Sequence, residues 1–273
     1  MKSLLTVDSS GEASVSRYLR KVIALANSIR GPSPLDSMQD VTIGRNIEAK
    51  REAWVLEQLR GLPSGVRVLD AGAGQQRYRK PAEAMGLEYI AQDFGKYDGT
   101  GDGSGLQTGS WNYGDLDIIS DITEIPVSDA SFDAVLCVSV LEHIPDPISA
   151  LKEFSRILRA GGSLILTAPA QSFVHFAPYF FCSGFSKFFY NRYLPEAGLS
   201  IVKQDFNGSL FEYLAMIMRQ LPAHGNKYSG LTLSRNEEYA MVTILKALQR
   251  AENTDSGSWE FCAADVMLVA NKV

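Results

Sequence analysis

The segment VLDAGAG, Val68 to Gly74, constrains the fold of this 273-residue chain more than any other. It is an apolar run that meets an acid at Asp70 and then turns through Gly72 and Gly74, a junction at which backbone and a ligand can approach closely. Short runs rich in β-branched and aromatic residues follow at 87–93 (LEYIAQD), 116–121 (LDIISD), 132–140 (FDAVLCVSV) and 162–169 (GSLILTAP), and each reads as a strand. Helical spacing of apolar residues fills the intervals from about Arg45 to Leu62 and from Pro147 to Leu158. GLPSG ends the first helix, and AGG at 160–162 is expected to close the second. Alternation of this kind predicts an α/β fold, a doubly wound sheet with helices on both faces. Beyond it the pattern gives a strand at 198–206, helices at about 208–221 and 235–251, and a last strand near 259–270. A helix at 14–30, broken by GPSP, makes residues 1–44 an N-terminal helical extension to a main domain at 45–273, and 170–195 is an aromatic-rich insert.

Composition removes several function classes. A formal charge of -5, from 26 Lys and Arg against 31 Asp and Glu, offers no broad positive field for a phosphate backbone, so no nucleic-acid partner is expected. Cys137, Cys182 and Cys262 are widely spaced, with no CxxC pair or metal-ligand cluster, which suits a reducing cytoplasm. No stretch approaches the roughly 18 apolar residues of a membrane span. Seven of the twenty residues from Gly95 to Gly114 are glycine, so no helix is expected there. That loop is a candidate lid. Its DGTGDGSG lacks the ligand spacing of a calcium loop, and no metal is expected.

Position 77 is Arg, where a nicotinamide-type fingerprint needs a third small residue, so the turn suits another nucleotide. VLDAGAG, Asp93 at the end of EYIAQD, SDITEIPVSDASFDAVLCVSVLEHIPDP at 120–147 and RILRAGGSLILTAP follow in order. Together, across about residues 45–205, they resemble class I S-adenosylmethionine-dependent methyltransferases, in particular the methyltransferase-11-like subfamily with members in polysaccharide and natural-product pathways. The resemblance implies a Rossmann-like sheet of seven strands with the last reversed. It also implies S-adenosyl-L-methionine as cofactor and S-adenosyl-L-homocysteine as product. Asp70, Ala71, Gly72 and Gly74 would shape the turn around the ligand, and Asp93, with Phe94 beside it, would accept from the ribose hydroxyls. Asp121 would meet the adenine amino group, the Ile122 backbone the ring nitrogens, and Cys137 and Val138 the methionine half. The chain departs from the family at Gln76, where a third glycine is common.

These residues point to methyl transfer onto a small-molecule acceptor. YRKP at 78–81 resembles relatives near polysaccharide pathways and favours O-methylation of a sugar or glycan intermediate. The alternatives are a natural-product O- or N-methyltransferase, a protein that binds S-adenosylmethionine without turnover, and a nicotinamide-dependent oxidoreductase, against which Arg77 counts. A hydroxyl acceptor profits from a base, and His175, just past the strand ending near Thr167, is the candidate. His143 and Tyr179 are the other bases considered, with His143 read mainly as a loop-ordering residue. Ten aromatic residues between Phe173 and Tyr193 wall an acceptor, touch a lipid surface peripherally, or simply pack.

Overall fold

Successive side chains of a strand point to opposite faces, so a strand apolar at every position must be covered on both sides. The computed structural model, which describes residues 33–36, 38 and 40–273, meets that demand in full; the helix expected at 14–30 lies outside the described residues. Strands β1 (Arg67–Ala71), β2 (Glu88–Asp93), β3 (Ile118–Ile119), β4 (Phe132–Val138), β5 (Leu158–Pro169), β6 (Leu199–Asn207) and β7 (Asp265–Lys272) form one sheet in the order β3-β2-β1-β4-β5-β7-β6. The pairs among β1 to β5 are parallel, and β7 runs antiparallel to both β5 and β6. The seven-stranded α/β architecture with a reversed last strand is therefore as expected.

One face packs Val68, Ala91, Ala134, Leu136 and Ile165 against Trp54, Val55 and Leu59 of α1 (Ile47–Arg60) and Ala82 of α2 (Arg79–Ala84). The other packs Leu69, Val135, Leu164 and Leu166 against Leu151, Phe154 and Ile157 of α3 (Pro147–Ile157) and Tyr190 and Leu194 of α4 (Lys187–Glu196). Polar contacts latch α1 to the reversed end of the sheet. The Arg51 Nη1 donates to both oxygens of Asp265 at 3.3 Å, Asn207 Nδ2 bridges Asp265 Oδ2 (2.8 Å) and Ile47 O (2.7 Å), and Trp54 Nε1 donates to Asp205 at 2.7 Å.

A second, smaller core lies where Met38, Val41 and Ile43 meet α5 (Leu210–Ser229) and α6 (Arg235–Glu252). Here α5 continues through Pro222 instead of stopping at 221, and ends at Gly230, whose φ of 67° makes the left-handed cap. Arg219, one turn before the proline, donates to the carbonyls of Val41 and Ile43 at 2.6 and 2.7 Å, which ties the middle of the helix down.

Two further boundaries differ from the sequence pattern. AGG at 160–162 does not cap α3. The chain passes from helix to strand at Leu158, and the residues lie in a bulge of β5, where the register with β4 jumps from Phe132↔Leu158 to Ala134↔Ser163. The last strand begins at Asp265, because 258–260 form a short 3₁₀ turn.

Phe154 is fully buried on α3, whereas Phe188 on α4 is 71% exposed. Phe154→Ala should therefore destabilise the protein by about 3–5 kcal/mol in urea unfolding, and Phe188→Ala by no more than about 0.5 kcal/mol.

Candidate functional site

Four chain segments leave the sheet at its carboxyl edge: the turn after β1, the end of β2, the turn after β4 and the insert after β5. Ligands of open α/β sheets sit at that edge. The turn after β1 is held by main-chain donors. Gly72 and Ala73 donate to Gln92 O at 2.9 and 2.8 Å, and Gly74 donates to Asp93 Oδ2 at 2.9 Å, while Asp93 Oδ1 accepts from Gly95 at 3.0 Å. The Asp93 carboxylate thus braces both sides of the turn. Burial pushes its pKa up, opposed by those backbone donors.

Gln76 stands where the resembled family has glycine, yet its φ is 56°, the left-handed conformation glycine adopts freely. Its amide offsets that strain by donating to Tyr113 O and Asp115 O at 2.7 and 2.8 Å, and so anchors the far end of the glycine-rich loop. The loop itself carries no helix, as expected, and lies over the β1 turn. A Cβ at Gly74 would stand 3.0 Å from Cζ2 of Trp111, so the indole fills the space directly above the turn. Phe176, from the insert, stacks on Tyr97 (ring centroids 4.7 Å) and meets Trp111 edge-on at 5.2 Å. Main-chain bonds join loop to insert: Leu106 N to Val174 O and Phe176 N to Leu106 O at 3.0 Å, and Asp102 N to Ala177 O at 3.1 Å. Gly101 permits that approach, since a Cβ there would collide with Ala177 O.

Asp70 is 2% exposed and accepts a short hydrogen bond from the Tyr89 hydroxyl of β2. Burial raises its pKa to about 7, with the nearby Asp93 adding to the rise. Ala71 is buried in the sheet. Phe94 is half-buried and meets Tyr179 edge-on at 4.9 Å. Asp121 is exposed, and its Oδ1 accepts from Thr123 N and Oγ1 at 2.9 and 2.7 Å, the local turn that an Asp in this position favours. Ile122 is buried. The Cys137 side chain is fully buried on the α3 face, with its pKa raised far by desolvation, whereas Val138 packs on the α1 face.

The structure brings His143 and His175 together, with ring centroids 4.7 Å apart. His143 Nδ1 lies 2.6 Å from Tyr179 O, and His175 Nδ1 lies 2.8 Å from Phe173 O. A carbonyl only accepts, so each ring carries its proton on Nδ1 and leaves Nε2 with a free lone pair. Burial lowers the pKa of His143 to about 4 and holds that of His175 below the usual imidazole value. Glu142, unremarked in the sequence pattern, is 1% exposed beside them, its pKa raised by burial to about 8. The signal for it was an acid inside the otherwise apolar run SVLEHI.

The methyltransferase-domain family matches residues 69–166, from β1 into β5. Over those residues the chain is similar to a methyltransferase domain. The chain is 32% identical over 170 residues to the demethylmenaquinone methyltransferase of Renibacterium salmoninarum, covering 61% of this chain and 64% of that protein. It is 29% identical over 128 residues to the ubiquinone biosynthesis O-methyltransferase of Alkalilimnicola ehrlichii, covering 45% and 49%. It thus spans just under two thirds of the first relative and about half of the second. In fold, the chain resembles the cyclase SpnF, with a TM-score of 0.50 and 18% identity over 82% of this chain and 80% of that one.

Two expectations follow from these contacts. Gln76→Gly relieves the left-handed strain but frees residues 113–115, so amide exchange across 96–114 should quicken, as read by mass spectrometry, with the melting temperature little changed. Asp70 binds a proton in the folded protein up to about pH 7, whereas an unperturbed aspartate releases it near 3.8. Its contribution to stability is present below about pH 4 and is lost as pH rises through about 7. Asp70→Asn does not titrate, so the melting temperature of the parent relative to the variant should fall across that window.

Proposed function

We propose that the protein transfers the methyl group of S-adenosylmethionine to a hydroxyl of a small acceptor. The observation that carries this is the meeting, at one sheet edge, of the Gly72–Gly74 turn braced by Asp93 with the free Nε2 atoms of His143 and His175. The turn fits an adenosyl ligand, because the space a Cβ would fill at Gly74 is held only by the movable Trp111 ring. Bound there, the ligand supplies a sulfonium-activated methyl group. With Trp111 withdrawn, the remaining lone pairs of Asp93 accept from the ribose hydroxyls. Asp121, exposed past the end of β3, receives the adenine amino group, the Ile122 backbone meets the ring nitrogens, and the carboxyl end of β4 at Cys137 and Val138 lies along the methionine half.

Transfer needs alignment more than covalent help. Phe176, Phe180 and Tyr179 would hold the acceptor by its flat face, and His175 Nε2 would take the proton of the acceptor hydroxyl. An acceptor with a quinone-type aromatic ring is favoured by the aromatic setting and by the two relatives, whose names are those of quinone-pathway enzymes, and a hydroxyl on it by the second, which is named an O-methyltransferase. The sugar or glycan acceptor rests on YRKP alone. Labelled S-adenosylmethionine offered with a panel of quinols and of sugars decides between them. No transfer to any acceptor, with tight binding, would leave a binding protein without turnover. No described helix is long and apolar enough to cross a membrane.

Asp93→Ala should weaken S-adenosylmethionine binding by about 1–3 kcal/mol in calorimetry, and Asp93→Asn, which keeps one acceptor oxygen, by less. His175→Ala should lower the transfer rate roughly 10²- to 10⁴-fold with cofactor affinity nearly intact. The neutral imidazole is the active form, so the parental rate should fall as pH drops through a pKa held below the ordinary imidazole value. That limb should vanish in the variant.

A further inference from the structure

Glu142 Oε2 is a fully buried carboxylate oxygen with no hydrogen-bond partner. Leaving such a group unpaired is costly, and a buried carboxylate is normally matched by a cation or by donors. The Arg51 charge acts on Glu142, but its Nη1 donates to Asp265 and among the described residues no donor reaches Glu142 Oε2. What faces Glu142 instead is a pair of imidazoles that present lone pairs. His143 Nε2 stands 3.9 Å from Glu142 Oε1, and one donor atom from each of Glu142, His143 and His175 can be chosen so that all three lie within 4.8 Å of one another. A cation placed between the three groups would pair with the Glu142 carboxylate and with the imidazole lone pairs.

We propose that Glu142, His143 and His175 bind one divalent transition cation of the zinc class. Two features of the geometry prepare the site. Each histidine donates its Nδ1 proton to a backbone carbonyl, Tyr179 O and Phe173 O respectively, the outer-shell arrangement that fixes the tautomer and aims Nε2 at a metal. The turn bearing Glu142 and His143 is tied to the insert bearing His175, because Phe181 N and Cys182 N both donate to Glu142 O, at 2.9 and 3.2 Å. Donor atoms around a tetrahedral zinc ion stand about 3.3 Å apart. As all three atoms lie within 4.8 Å of one another, closing the triangle shortens no edge by more than about 1.5 Å.

Two imidazole nitrogens and one carboxylate oxygen suit zinc, cobalt or iron(II) over magnesium or calcium, which prefer all-oxygen sets. Three protein ligands leave a coordination position open. This deepens the proposed function at the same site, since an acceptor hydroxyl bound to the cation would lose its proton more readily. In the loaded protein the histidine lone pairs would be ligands, and the proton would pass to solvent instead of to His175.

The test reads the cation directly, without methyl transfer, so its outcome is independent of the proposed activity. Full-length protein stripped with a chelator is titrated with Co²⁺, followed by its visible ligand-field bands, and with Zn²⁺ by calorimetry. One equivalent of each should bind, and Mg²⁺ should not compete. His175→Ala and Glu142→Gln should each weaken binding about tenfold or more, with circular dichroism confirming an intact fold. His224→Ala, which removes the remaining histidine of the chain, should bind as the parent does. Absence of a one-equivalent site in the parent would overturn the proposal. So would Co²⁺ spectra and affinity unchanged in both His175→Ala and Glu142→Gln.

Discussion

Three backbone donors, from Gly72, Ala73 and Gly74, converge on the last two residues of β2. The rest of the site depends on this junction. It stops β1 at the sheet edge, opens the turn toward the cleft, and fixes Asp93 where it braces the start of the glycine-rich loop through Gly95. The parallel ladder of β2, β1 and β4 carries the geometry onward, because Asp70 pairs in register with Ala91 on one side and Leu136 on the other. What happens at the carboxyl end of one strand is therefore positioned to within a side chain relative to its neighbours. The two covered faces supply the stiffness, since residues such as Leu69 and Val135 are fully buried and leave the ladder little freedom.

Much of this was legible in the residues. Val68 to Gly74, Phe132 to Val138 and Leu164 to Ala168 are apolar at nearly every position, as strands covered on both faces must be, and Pro147 to Ile157 shows one buried helical stripe. What escaped was decided by partners far along the chain. AGG looks like a helix stop, but β4 holds Leu158 in register and turns those residues into a bulge. Pro222 looks like a helix end, but the contacts of Arg219 with residues 41 and 43 hold α5 together. Asp121 has a local partner in Thr123, which no long-range pattern announces. The two strand residues expected to face the cofactor separate by parity: Cys137 is turned into the core by the pleat and Val138 the other way.

Glu142 went unread in the sequence, and Trp111 was legible only as part of a candidate lid. The glycine-rich pattern does not say locally that its one tryptophan lands on Gly74, thirty-seven residues earlier. The landing depends on Gln76 gripping residues 113 and 115 and on the main-chain bonds to the insert. Loop, turn and insert are thus one coupled assembly. The aromatic side chains that close the cleft are also those that frame the two histidines, since Phe176 stacks on Tyr97 and, at 5.3 Å, on His143. Under the proposed function, moving Trp111 aside would disturb Phe176, which it meets edge-on, and so would link cofactor entry to the acceptor side.

Under the proposed function, binding of S-adenosylmethionine at the glycine turn would require Trp111 to leave it. The chain has three tryptophans, Trp54, Trp111 and Trp259. A variant with Phe at 54 and 259 therefore reports on Trp111 alone. On titration with S-adenosylmethionine its emission should change in a saturable one-to-one manner, with a midpoint equal to the calorimetric Kd. Binding by calorimetry with no change in Trp111 emission would place the ligand elsewhere and contradict the account.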